Sequence, residues 1–218
     1  MNWASTSRGR IVTTKEKIII TSLELFAQKG YDGVSVREIA AKVGVQASAL
    51  YKHFSNKDEI LNGVVSATSE KIKESYQVNQ IPEAVKNKDE ITQSYEAFST
   101  RQLCDLTWNI FQLFTKDPMV SNFRKLLMRE QFENKNIAKL YDDFFVEGAV
   151  NNFAKIFEQF SADGFFKPVD SRMIALHFYA PIQLMFQKYD CEPESEPQLK
   201  ELLYQHIELF GKNFSAKN

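Results

Sequence analysis

Apolar residues recur along this chain three and four positions apart, and no long run alternates apolar with polar. That spacing marks helices burying one face rather than half-buried strands, so the chain reads as all-α. From Met1 to about Val12 there is no periodicity, and Arg8 and Arg10 make this stretch a flexible basic arm. A first helix is predicted from about Thr13 to Lys29, with Ile19, Leu23, Phe26 and Ala27 on its apolar face. Gly30 stands where a helix C-terminal cap belongs. A second helix opens at Ser35 and buries Val36, Ile39, Ala40 and Val43 before Gly44 ends it. A short third helix follows, from about Gln46 to Phe54. The fourth carries Ile60, Leu61, Val64, Val65, Thr68 and Ile72 along one face and fades near Asn79–Pro82.

All six prolines lie at or after Pro82. A linker is expected over about Gln80 to Asp89. Beyond it the pattern predicts long helices over roughly Glu90–Thr115, Met119–Glu133, Asn136–Ala162, Ser171–Tyr189 and Glu196–Ser215. Asp117-Pro118, Asp163-Gly164, Lys167-Pro168 and the Pro193/Pro197 stretch separate them. Pro181 inside a helical pattern predicts a kink. The expected organisation is an arm over 1–12, a helix-turn-helix domain over 13–60, and a larger helical domain over 61–218.

Residues 35–57, SVREIAAKVGVQASALYKHFSNK, carry the most information. Ser35 and Glu38 are spaced as a capping box, in which the serine oxygen accepts from the third-residue N–H and the glutamate reaches back. Either Ser55 or Asn56 caps the fourth helix, with Glu59 in the capping-box position for Asn56. Two short helices broken by a glycine turn are the ingredients of a helix-turn-helix. Ile39, Ala40 and Val45 would face the first helix, while Leu50 and Phe54 anchor the third from behind. Gln46, Ala47, Ser48, Ala49 and Tyr51 are left on its outer face, short or uncharged side chains suited to a major groove about 12 Å wide.

The segment from about Lys15 to Leu61 resembles the DNA-binding domain of the TetR family of bacterial transcriptional repressors. The resemblance rests on LFAQKGYDGVSVREIAAKVGV followed by ALYKHFSNKDEIL, with the pairs Gly30-Tyr31 and Ile39-Ala40 and the run Leu50 to Lys57. It implies phosphate contacts from Tyr51, His53 and Lys57, the last beside helix N-terminal N–H groups that favour an anion. Ser35 occupies the analogous place at the second helix, and Lys52 is a further phosphate partner. Gln46, Ala47 and Ser48 are the candidates for base edges: Gln46 can read adenine in bidentate fashion and Ala47 can touch a thymine methyl. The small residues at 47 to 49 depart from many relatives. Operator choice could then draw on the Arg8/Arg10 arm in a minor groove or on DNA shape.

Sixteen of the 18 phenylalanines fall after residue 90. The resemblance implies an apolar ligand cavity in this region and hence a small hydrophobic or aromatic inducer. Trp108, Asn109, Phe111, Gln112, Tyr141 and Phe145 are the candidate contacts, the two amides as orienting groups; the alternative is that the aromatics are ordinary core. The last two helices are expected to form a homodimer interface. Met173, Leu176, His177, Ala180 and Leu184 make one stripe, and Leu199, Leu203, Ile207, Phe210 and Phe214 the other. A dimer would carry two recognition helices about 34 Å apart, matching successive major grooves of a palindromic operator.

Composition adds exclusions. With 44% hydrophobic and 25% charged residues, the chain is not of the disordered class. The longest stretch without a charged residue, Met173 to Gln187, has 15 residues, short of the roughly 20 a membrane span needs. Cys104 and Cys191 are the only cysteines, and no disulfide framework, metal site or cofactor is expected. His53, His177 and His206 are widely separated, and no phosphate-binding glycine loop or nucleophile elbow occurs, so no enzyme is expected. A cytoplasmic protein follows from these readings. The net charge of −1 at first speaks against a nucleic-acid partner. Resolved along the chain, residues 1–60 carry nine Lys and Arg against six Asp and Glu, and the remainder 18 against 22. A mildly basic N-terminal end on an acidic body is compatible with double-stranded DNA. The expected function is a ligand-responsive repressor; the alternative is an activator or partner-controlled regulator without a small-molecule inducer.

Overall fold

The structure is a computed structural model that describes residues 12–78 and 100–216. The Arg8/Arg10 arm, the expected linker and the first ten residues of the helix expected from Glu90 lie outside them. The chain divides into two units, Met1–Glu70 and Lys71–Asn218, here called the head and the body.

The head begins with α1 (Thr14–Lys29), whose N-cap Thr13 forms a complete capping box with Glu16. Ile18, Leu23 and Phe26 are buried on its inner face. α2 (Val36–Val43) starts at Ser35, whose hydroxyl accepts from the Glu38 N–H at 3.2 Å. The expected return bond from Glu38 is not made; its carboxylate pairs with Lys29 Nζ instead. Gly44 ends α2 at φ 83°, ψ 31°, a left-handed conformation that a Cβ disfavours. α3 is shorter than its pattern suggested: the α-helix covers Ala47–Leu50, and residues 51–53 are turn. α4 (Lys57–Val78) is capped by Asn56, whose side chain accepts from the Glu59 N–H at 2.8 Å. Glu59 reaches back one residue further than a capping box requires, to the Ser55 N–H.

The body contains α5 (Thr100–Lys116), α6 (Pro118–Glu130), α7 (Lys135–Phe145), α8 (Glu147–Ala162), α9 (Ser171–Cys191) and α10 (Glu196–Phe214). Asp117, Asn134 and Asp170 cap α6, α7 and α9 with their side chains. The single helix expected over Asn136–Ala162 is two, broken at Val146 (φ −125°, ψ −98°). The break brings the chain so close that a Cβ at Gly148 would lie 1.6 Å from the Asp143 carbonyl oxygen. α9 runs on through Pro181, which has no N–H to offer the carbonyl of His177 four residues earlier.

Among the described residues, two buried clusters join helices of the body. Val150, Phe157, Phe160, Phe166, Ile174, Ala175 and Phe210 join α8, α9 and α10. Trp108, Phe111, Ile182, Met185, Phe186, Leu199 and Leu203 join α5, α9 and α10. No described helix is long and apolar enough to cross a membrane.

Candidate nucleic-acid interface

A helix of four residues has no stability of its own, since the first turn fixes several residues for a single hydrogen bond. α3 is held by its two anchors. Leu50 is fully buried and Phe54 nearly so, each burial contributing about 1.5–3 kcal/mol. With these two turned inward, Gln46, Ser48, Tyr51, Lys52 and His53 are exposed, while Ala47 and Ala49 are half-buried. Gln46 is the N-cap residue, yet its side chain makes no capping hydrogen bond. Its amide therefore stays available to an outside partner. Between Lys42 and Lys52 no residue carries a charge. The exposed face is thus neutral along α3 with cations at its two ends.

Lys57, at the first position of α4, is arranged differently. Its ammonium donates to the carbonyls of Tyr31 at 3.0 Å and Val34 at 3.3 Å. It lies 3.8 Å from Asp32 and 4.3 Å from the centre of the Tyr31 ring. The next residue, Asp58, accepts from the Tyr31 hydroxyl at 2.5 Å. Burial and the Asp58 carboxylate push that hydroxyl well above its ordinary range, so it stays a donor. At Glu59 the Ser55 backbone N–H holds the carboxyl below its usual value.

Of the residues expected at a ligand site, the four aromatic ones belong to one chain of ring contacts. Trp108 and Phe111 are buried and stacked with centroids 5.1 Å apart, and Phe111 stacks on Phe186 at 5.1 Å. Asn109 is exposed, which corrects its expected role: one position after buried Trp108, it is turned about 100° around α5 from that residue. Gln112 is half-buried. Phe114 links this stack to Phe145, its ring 5.8 Å from Phe186 and 5.9 Å from Phe145, and Tyr141 and Phe145 stand beside polar groups that the sequence reading missed. Gln183 Nε2 donates to the Tyr141 hydroxyl at 3.0 Å. The Tyr179 hydroxyl is within reach of Gln183 Oε1 at 3.1 Å and the Phe145 carbonyl at 3.2 Å. Burial pushes the Tyr179 hydroxyl strongly up, so it too remains a donor. Arg124, 1% exposed, donates both terminal nitrogens to Asp190 at 2.7 Å and its Nε to the Phe114 carbonyl at 3.1 Å.

The expected interface residues separate by helix. On α9, Met173, Leu176, His177, Ala180 and Leu184 are all exposed, Leu184 at 66%. On α10, Leu203, Ile207 and Phe210 are buried in the protomer's own core, as is Leu199. That half of the assignment is corrected. α10 carries two apolar stripes, and the denser one faces inward. The outward stripe is Leu202 and Leu209, 49% and 57% exposed. Leu184, Leu202 and Leu209 line one groove of about 460 Å³ together with Pro181, Lys188 and His206.

A sequence profile of the bacterial regulatory proteins of the tetR family matches residues 18–64. The negative transcriptional regulator IcaR of the biofilm operon icaADBC in Staphylococcus aureus (strain Newman) is 24% identical over 204 residues, spanning 91% of this chain and 99% of IcaR. Its counterpart from Staphylococcus epidermidis is 44% identical over 46 residues, 21% of this chain and 25% of that protein. Among solved structures, SmeT in complex with triclosan superposes with a TM-score of 0.70 at 16% identity, covering 94% of this chain and 93% of SmeT. SmeT is the repressor of the Stenotrophomonas maltophilia multidrug efflux pump SmeDEF. The exposed α3 with its two buried anchors lies within the matched segment, and the all-helical body extends the likeness over nearly the whole chain. Residues 18–64 thus match the tetR family of bacterial regulatory proteins, and the chain is similar over nearly its whole length to transcriptional regulators of that kind.

Proposed function

We propose that the protein is a repressor that binds a palindromic operator as a homodimer and lets go when a small apolar or aromatic molecule enters the body. The observation that carries the reading is the neutral, exposed face of α3. Gln46, with its amide uncommitted, reads an adenine edge; Ala47 meets a thymine methyl; Ser48 takes a neighbouring base. Tyr51, Lys52 and His53, together with the hydroxyl and N–H groups at Ser35, hold phosphates on either side. The exposed α9 stripe, joined by Leu202 and Leu209 of α10, supplies the homodimer face. Its apolar area gives the second protomer something to bury, and the two-fold axis gives the operator its symmetry.

The inducer reading is supported by Tyr141, Tyr179 and Gln183, donors and acceptors set among aromatic rings, and by the complex of SmeT with triclosan. An inducer acts only by binding the two conformers unequally; α4, whose residues fall in both units, carries the change. A second reading, control by a partner without a small molecule, is favoured by the close stacking of Trp108, Phe111 and Phe186, which is core packing. Gel-shift titration on the protein's own promoter region tests the proposal. Specific, salt-sensitive binding relieved by apolar aromatic compounds is the expected result. Absence of specific binding there overturns the repressor reading, and specific binding that no such compound relieves favours the second.

A further inference from the structure

We propose that Tyr141, Tyr179 and Gln183 form the polar end of the inducer site, and that the molecule they take is an uncharged aromatic alcohol whose hydroxyl bonds to Tyr141. This names the ligand class for the inducer reading above and rests on that reading. The three side chains are linked in series. The Tyr179 hydroxyl lies 3.2 Å from the Phe145 carbonyl and 3.1 Å from Gln183 Oε1, and Gln183 Nε2 lies 3.0 Å from the Tyr141 hydroxyl. Phe145 is the last residue of α7, where a helix leaves its carbonyls without partners. Tyr179 closes that end of the series. At the other end, among the described residues, the Tyr141 hydroxyl bonds to Gln183 alone. A hydroxyl has one proton and two lone pairs, so Tyr141 keeps bonding capacity at a position only 9% exposed. A half-turn of the Gln183 amide exchanges which capacity is left, the proton or a lone pair. A hydroxyl on the occupant answers in both cases because it gives and takes; an ether answers in only one.

The surroundings set the rest of the molecule. Phe145 stands 5.8 Å from the Tyr141 ring, Phe114 5.9 Å from Phe145, and Phe153 5.7 Å from the Tyr179 ring. A planar aromatic body adds one more ring to this series of ring contacts. Charge is unwelcome there. Burial keeps the Tyr179 hydroxyl protonated, and the charged group whose field reaches it is Arg124. That guanidinium is already bonded to Asp190 and to the Phe114 carbonyl, so an anion would be buried without a counter-charge of its own. Tyr76, on the last turn of α4, also acts on Tyr179 and is itself pushed up to about 12 by burial. The occupant therefore borders the helix whose residues fall in both units.

Probes that share one ring skeleton separate the polar end from the apolar body. The full chain is dialysed to equilibrium at neutral pH against β-naphthol, its methyl ether, naphthalene and β-naphthoate. β-Naphthol is expected to bind about fivefold to tenfold more tightly than naphthalene, the worth of one hydrogen bond. The ether should bind less tightly than the naphthol, and the naphthoate most weakly. Tyr141→Phe should abolish the preference by weakening the naphthol and leaving naphthalene as it was. Gln183→Met, which unhooks Tyr141 from the series, should reduce the preference too, and it decides the matter if Tyr141→Phe fails to fold. A wild type without preference, an ether or naphthoate that binds as tightly as the naphthol, or an equal loss for naphthol and naphthalene in the variants overturns the proposal and leaves the inducer reading standing. Failure of all four probes to bind counts against the inducer reading itself, and the proposal falls with it.

Discussion

In the head, Tyr51 is the one large apolar or aromatic side chain exposed among the described residues, at 53%. In the body, Met173, Leu184, Leu202 and Leu209 stand 48%, 66%, 49% and 57% exposed on two helices packed together. The interiors differ in the opposite sense. The head buries aliphatic side chains with Phe26, Tyr31 and Phe54, and among its described residues no Lys, Arg, Asp or Glu is buried; the body buries an arginine. A unit that shows water a polar face over an apolar interior is complete as a folded object and needs only a polar partner. A unit that shows leucines outward while spending a buried ion pair inward is short of apolar cover. The contrast supports the proposed reading, with nucleic acid on the head and a second protomer on the body.

The strongest way to break this comparison is at the body's surface. Leu184→Asp combined with Leu209→Asp removes two leucines that occur twice across a two-fold interface. At about 1.5–3 kcal/mol for each buried leucine, the dimer should lose at least about 6 kcal/mol. Sedimentation at micromolar concentration is expected to show monomer with unchanged helicity, and a persisting dimer would place the interface elsewhere. Next comes the body's interior. Arg124→Ala leaves Asp190 buried without its partner, and urea unfolding should show a loss of about 3–5 kcal/mol, with hydrogen exchange in α1 and α2 unaltered. On the head, Gln46→Ala should cost about 1–3 kcal/mol in binding the selected operator and relax the choice at one base pair of each half-site, with folding stability unchanged. Ser35→Ala removes a cap worth about 1 kcal/mol, read by thermal unfolding.

The smallest effect concerns acid. Glu59 has a folded value below its unfolded one, so its contribution is present above the ordinary carboxylate range and is lost as pH falls through the lowered value. Glu59→Gln should lower stability slightly at neutral pH, leave it nearly unchanged below the lowered value, and so flatten the acid limb of the profile read by urea unfolding.

What could be read in the sequence follows the reach of each signal. Ser35, Gly44, Leu50 and Phe54 act within four or five residues of themselves, and their positions in the fold follow from local spacing. The break at Val146 was hidden because apolar residues keep helical spacing straight through it, and only Gly148 hints at the close approach to Asp143. On α10 the periodicity located the stronger of two stripes, and strength of pattern marks the protomer's own core before any interface. Arg124 and Asp190 are 66 positions apart, and neither has a local context that names the other. Lys57 was legible as a cation at a helix start. Its bonds to carbonyls 23 and 26 residues earlier belong to the packing of the head and to no local pattern.

Beyond α10 the chain turns back: Phe166 and Ser215 form an isolated antiparallel bridge. The Lys167 N–H donates to the Phe214 carbonyl at 2.8 Å, and the Ala216 N–H to the Phe165 carbonyl at 2.7 Å. A helix end ordinarily frays, but this one is stitched to the corner between α8 and α9, where Phe166 enters the aromatic cluster. The tail and that corner will therefore detach as a single event. Deleting residues 215–218 would unlace the corner and let water reach Phe157 and Phe160, and an affinity tag on this end is best separated from Ala216 by a spacer.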